Sequence, residues 1–203
     1  MKKGLLKLIA LSVLVITFAS CAKPPQEAID AANAALEQAK SAGADRYVPA
    51  SYNAANDALK AALAAVEEQK SKFALFRNYD AAKTSLTSVS DMAKKAVDET
   101  AARKEALKAE VTQAVTDLNT LIAQDKEMLK KAPKGKEGKA ALEAIGQEIS
   151  AVEAVATDVS SGLASNADIL TLSEKVKPAV EKAKSINTEL TDVMAMVKGG
   201  KKK

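Results

Sequence analysis

Residues 79–131 read YDAAKTSLTSVSDMAKKAVDETAARKEALKAEVTQAVTDLNTLIAQDKEMLKK, and this run decides the fold. Its first part offers Leu86, Val89, Ala93, Ala96 and Val97 on one face. Its last part offers Leu107, Val111, Ala114, Leu118, Leu121 and Ile122. Both follow the three-and-four spacing of coiled-coil seams. Between them, residues 98–105 are mostly polar, and there one helical packing group is expected to end and another to begin. A single helix over this run would be about 80 Å long, at about 1.5 Å per residue. The alternative is a break near Ala101 that yields two compact bundles.

Upstream, Ala28, Ile29, Ala32, Ala35, Leu36 and Ala39 recur at helical spacing and predict a helix over Gln26–Ala42. Gly43 is its expected stop. Residues 45–48 read as a turn, and Pro49 suits the first turn of a second helix. Ala55, Leu59, Ala62, Leu63 and Val66 make that helix's inner stripe. Residues 72–78 form a second turn, with Phe73, Leu75, Phe76 and Tyr79 expected to pack at that end.

Downstream, Pro133-Lys134-Gly135-Lys136-Glu137-Gly138 breaks the chain. A fourth helix carries Leu142, Ile145, Ile149, Val152, Ala156 and Val159 on one face, and residues 162–166 turn. A fifth carries Ile169, Leu172, Val176, Val180, Ala183, Ile186, Leu190, Val193 and Val197. Pro178 is a candidate kink, because it lacks a backbone donor. The expected fold is all-α: an elongated antiparallel bundle of about five helices sharing one long central helix. Scarce glycine, few aromatics and abundant Ala, Lys, Glu, Leu and Val fit that class.

The first 20 residues read as a leader. Lys2, Lys3 and Lys7 give a positive start, residues 5–16 are almost wholly apolar, and Ala19 and Ser20 are small. The apolar run is shorter than the roughly 20 residues that span a bilayer. Phe18-Ala19-Ser20-Cys21 resembles the lipobox of bacterial lipoproteins, with Phe18 in place of the preferred Leu. The resemblance implies cleavage between Ser20 and Cys21, a thioether from Cys21 to diacylglycerol, and a further acyl chain on the freed amine. Each buried methylene adds about 0.8 kcal/mol, so two or three chains hold firmly. In Gram-negative lipoproteins Asp after the lipidated Cys retains the protein in the inner membrane. Ala22 and Lys23 stand here, which favours the outer membrane, periplasmic face. Cys21 is the sole cysteine, so no intramolecular disulfide can form.

The resulting division is a signal peptide at 1–20, a lipidated linker at 21–25 with Pro24-Pro25, and an N-terminal bundle at 26–131. A hairpin at 136–197 packs on the third helix, and a basic tail occupies 198–203. Without the leader, 30 basic and 26 acidic residues become 27 and 26. The body is therefore balanced, which argues against a nucleic-acid surface.

Ala39, Ala42-Gly43-Ala44, Tyr47, Pro49, Tyr52, Ala55, Leu59 and Ala62 form a pattern with Tyr79, Ala81-Ala82 and residues 93–96. The stretch 28–96 resembles a family of alanine-rich helical domains of unknown function in proteobacterial lipoproteins. The Gly-x-x-x-Tyr-x-Pro turn at Gly43, Tyr47 and Pro49 is its most specific part. That resemblance implies fold and location only, over about a third of the chain. Some relatives add a peptidoglycan-binding domain, and no such mixed α/β segment is seen here.

The chain has no His. That removes the commonest general base, the usual Ser and Cys triads, and the commonest metal ligand. The lipobox resemblance implies that lipid consumes Cys21, which would leave no thiol for a nucleophile or a zinc site. Carboxylates alternate with Lys on solvated helix faces, as in ordinary i to i+4 pairing, and nothing marks a glycosidase pair. Gly135-Lys136-Glu137-Gly138-Lys139-Ala140 fails as a phosphate loop: its glycines are too close, and Ala140 replaces the magnesium-binding Ser or Thr. Tyr47, Tyr52, Tyr79, Phe73 and Phe76 are read as filling the end of the first helical group, or as lining a ligand pocket.

Lys201, Lys202 and Lys203 close the chain. Three readings stay open for them: a solvated basic end, attraction to anionic headgroups or the wall, and a covalent wall linkage. Near a membrane each Lys contributes about 1 kcal/mol. The layout is similar to the murein lipoprotein, a lipid-anchored helix whose final Lys is joined to peptidoglycan. Lys203 takes that place here, but Lys201-Lys202 replace its Tyr-Arg. The expected function is a non-enzymatic structural, spacer or envelope-scaffolding role, with no cofactor beyond lipid on Cys21. The expected partners are the membrane through that lipid, peptidoglycan, and an envelope protein or a second copy through the seams. The alternative is a binding module docking a partner protein or an apolar ligand on the bundle.

Overall fold

The computed structural model describes residues 23–132 and 139–199. The described residues form six α-helices and one 3-10 turn. These are α1 (Gln26–Ala42), α2 (Ala44–Tyr47), α3 (Pro49–Ser71), the 3-10 turn (Ala74–Phe76), α4 (Asp80–Lys131), α5 (Lys139–Ala164) and α6 (Ile169–Gly199). The protein is all-α, and α4 runs unbroken for 52 residues. Two compact units divide between Ala101 and Ala102, inside α4 and within its polar stretch. The boundary thus falls within the long helix rather than after it, and the helix does not break there.

In the first unit, α1 packs on α3, with the single turn α2 between them. Gly43 ends α1 in the left-handed region at φ 93°, its N–H bonded to the Lys40 carbonyl. The predicted turn over 45–48 is instead helical over Ala44–Tyr47, because its backbone N–H groups reach back to Gly43. Pro49 opens α3, where a missing N–H costs nothing. The core joins Ala32, Leu36 and Ala39 of α1 to Ala55, Leu59 and Val66 of α3 and Leu86, Val89, Ala93 and Ala96 of α4. Nine of the fifteen residues in this core are alanine, so the helices approach closely and little width remains between them.

That narrow core explains one correction. Phe73, Leu75 and Phe76 do not pack at the end of the bundle; they are 69, 68 and 75 % exposed. Tyr79 alone of the four is buried and closes the core there. Helices this close leave no slot for three further large side chains.

In the second unit, α5 packs along α6. The Lys126 ammonium meets Glu153 at 2.6 Å, and Asn187 meets Asp125, which ties α4 to both. The buried residues are mostly branched aliphatics: Leu107, Val111, Leu118 and Ile122 of α4, Ile145, Ile149, Val152 and Val159 of α5, and Leu172, Val176 and Ile186 of α6. On α6 the buried series Ile169, Leu172, Val176, Ala179, Ala183, Ile186, Leu190 alternates steps of three and four. Ala179 thus replaces Val180, which is half-buried, and on α4 Val115 is buried where Ala114 was expected. Strict alternation keeps one face on the seam, and the larger neighbour falls just beside it.

The turn predicted at 162–166 also shifts. Helix α5 continues through Gly162 to Ala164, and Asn166 takes the left-handed conformation instead, at φ 54°. Asn tolerates that region, so glycine was not needed to stop the helix. Pro178 leaves α6 continuous. The expected break at 133–138 lies outside the described residues.

Candidate functional site

Of the residues singled out from the sequence, Ser20, Cys21, Lys201, Lys202 and Lys203 lie outside the described residues, which begin at Lys23. The described chain therefore opens just after the expected lipid attachment. There, residues 23–28 line one groove of about 630 Å³ together with Arg77, Asn78, Tyr79, Asp80 and Lys83. Two helix starts meet at this groove. Ile29 N–H bonds the Pro25 carbonyl as α1 begins, and the Asn78 carboxamide oxygen accepts the Asp80 N–H as α4 begins. Helix starts carry a partial positive charge, and Glu27 and Asp80 answer it in the first turns. Tyr79 lines the groove, and its buried hydroxyl has no hydrogen-bond partner among the described residues.

The loop from Ser71 to α4 stands beside that groove and is firmly held. The Arg77 guanidinium donates to the carbonyls of Lys72 at 2.9 Å and Lys70 at 2.8 Å. Asn78 N–H donates to the Gln69 side chain at 3.1 Å, and Phe76 N–H closes the 3-10 turn on Phe73. The rings of Phe73 and Phe76 stand 6.3 Å apart, tilted by 49°. A hydrogen-bonded backbone here displays three exposed apolar side chains.

The five aromatic residues grouped from sequence do not come together. Tyr47 and Tyr52 are half-buried at the start of α3, with the Arg46 guanidinium 6.0 Å from the Tyr47 ring centre. Phe73, Phe76 and Tyr79 lie beyond its other end, 23 helical residues away. At the start of α3, Ser51 donates to the Glu99 carboxylate of α4, so α3 and α4 run antiparallel.

In the second unit Asp125 is 1 % exposed, and burial pushes its carboxyl above the ordinary carboxylate value, while the Asn187 hydrogen bond opposes that shift. At the end of the first unit Thr100, also buried, donates to the Ala96 carbonyl one turn back at 2.7 Å. Neither polar seam residue was anticipated. The signal was present, because Asp125 continues the series Leu118, Ile122 by one more step of three. Ion pairs flank the same helices, Lys175 with Asp158 at 2.8 Å and Lys182 with Glu148 at 2.7 Å. Exposed pairs of this kind contribute about 0–1 kcal/mol each.

Among the described residues no three His, Cys, Asp or Glu side chains gather as a metal site, and no helix is long and apolar enough to cross a membrane. No family model, curated protein or solved structure matches the chain.

Proposed function

We propose that this chain is a bacterial envelope lipoprotein, anchored through acyl chains on Cys21, whose helices act as a non-catalytic spacer or scaffold. The observation that carries the reading is Phe18-Ala19-Ser20-Cys21 directly behind a basic and then apolar leader. A protein held at one end by lipid needs a body that folds without disulfides, and helices closed by aliphatic seams supply one. The lack of His supports a role in contact rather than catalysis.

The test is the mass of the mature protein from detergent-solubilised envelopes. The expected species starts at Cys21 and carries diacylglycerol and a further acyl chain, and Cys21→Ser abolishes both lipid attachment and cleavage before residue 21. A mature protein that is soluble, with an unmodified thiol, would overturn the reading. The role of Lys203 is separable: sacculi boiled in detergent either retain the protein until muramidase digestion, as a covalent tether requires, or release it at once. Deletion of Lys203 must abolish any retention for the linkage to stand.

A further inference from the structure

We infer that the loop bearing Phe73, Leu75 and Phe76 is a membrane-contact tip, seated in the headgroup region of the bilayer that holds the Cys21 lipid. The inference rests on the anchored reading above and names what touches the membrane besides the acyl chains.

These three are the large apolar side chains that stand exposed among the described residues, and they are adjacent on a single turn. Exposed apolar groups gathered in one place mark a surface that something covers. Their display is built in: the Arg77 guanidinium, Gln69 and the 3-10 hydrogen bond hold the backbone, so the loop is not free to fold the rings inward.

Location selects the occupant. Residues 23–28 line the same groove as Arg77, Asn78, Tyr79 and Asp80, so the start of α1 and the base of the loop share one end of the first unit. Cys21 precedes Lys23 by two residues, a reach of no more than about 7 Å. A lipid on Cys21 therefore brings the bilayer to the end where the apolar tip stands. Charge agrees with this placement. Residues 69–79 contain Lys70, Lys72 and Arg77 and no acidic residue. Lys70 and Lys72 pair with Glu67 and Glu68 one turn back on α3. Aromatic and aliphatic groups with basic residues beside them in the chain suit the interface between headgroups and acyl chains. Two attachments, one covalent and one by insertion, fix which end of the first unit faces lipid, whereas acyl chains alone would leave it swivelling.

The full-length lipidated protein tests this. Cys21 is consumed by its thioether, so Phe76→Cys supplies a single thiol for an environment-sensitive fluorophore. Asp57→Cys, at a solvent-exposed position on α3, is the control. In vesicles of phosphatidylethanolamine and phosphatidylglycerol, the label at 76 is expected to shift to the blue and brighten severalfold. Lipids carrying a shallow nitroxide should quench it, and the label at 57 should stay water-like. A water-like label at 76 in the Phe76→Cys variant, with wild-type protein taking up no maleimide, overturns the tip while leaving the anchor intact. Wild-type protein that does take up maleimide removes the anchor and the tip with it. A response at 76 that vanishes on diluting the protein among vesicles assigns the loop to a second copy of the chain and overturns the lipid contact.

Discussion

The Asn187 side-chain amide donates to the Asp125 carboxylate at 2.8 Å, joining α6 to α4 inside the second unit. Asp125 occupies a seam position that its neighbours Leu118 and Ile122 fill with aliphatic side chains. A polar residue on an apolar seam has one favourable partner, so it fixes the register in which two helices meet. Sliding α6 by one turn would take Asn187 away from the carboxylate and break this hydrogen bond.

This arrangement makes stability depend on pH in a defined direction. Burial raises the Asp125 pKa in the folded state above its unfolded value. The folded state then binds the proton more readily, and stability falls as pH rises from the ordinary carboxylate value through the raised one. Asp125→Asn removes that titration. The variant is expected to equal or exceed wild type in urea at pH 7, with the difference shrinking as pH falls toward 4. Asn187→Leu, which strands the carboxylate, is expected to cost about 1–3 kcal/mol at pH 7. A gap between Asp125→Asn and wild type that widens on acidification contradicts the direction.

Two glycines of α5 should respond oppositely to the same change. A Cβ on Gly146 would lie 3.5 Å from Leu129 Cδ2, an ordinary contact. Gly146→Ala is expected to add up to about 1 kcal/mol through helix propensity. A Cβ on Gly162 would lie 2.5 Å from Leu172 Cδ2 and 3.4 Å from its Cγ, and Leu172 is buried. Repacking it costs about 1–3 kcal/mol and outweighs the propensity gain. Thermal melts of the two variants should move in opposite directions from wild type.

At Tyr79 the ring is needed and the hydroxyl is not, since the buried hydroxyl has no partner among the described residues. Tyr79→Phe is expected to be neutral or to stabilise by up to about 1 kcal/mol. Tyr79→Ala should cost about 3–5 kcal/mol by opening the end of the first core. Chemical denaturation of both variants checks this, and a clear loss in the Phe variant would mean that the hydroxyl is bonded after all.

Gly43 holds φ 93° between α1 and α2. A Cβ there meets the following backbone, so Gly43→Ala should lower stability by about 1 kcal/mol. Gly43→Asn should recover part of the loss, because Asn tolerates the left-handed region. If both variants melt with wild type, that conformation is not required.

The sequence by itself determined the helices, their order and most of their buried faces. Periodicity and a few breakers act locally: Gly43 can take positive φ, Pro49 lacks a donor, and Leu86, Val89 and Ala93 return to one face every three or four residues. What it could not weigh was the space between helices. Whether Phe73, Leu75 and Phe76 are inside depends on how closely α1, α3 and α4 approach, and that distance is set by alanines contributed from all three. Asp125 looked like one more solvated carboxylate, because its partner lies 62 residues away and joins it only when α6 docks. Gly162 looked like a turn until Asn166 took the left-handed role four residues later. Local steric preference and side-chain periodicity are properties of a segment and can be read along the chain. Burial, exposure and the pairing of a buried charge belong to the volume between segments, and only the tertiary structure decided them.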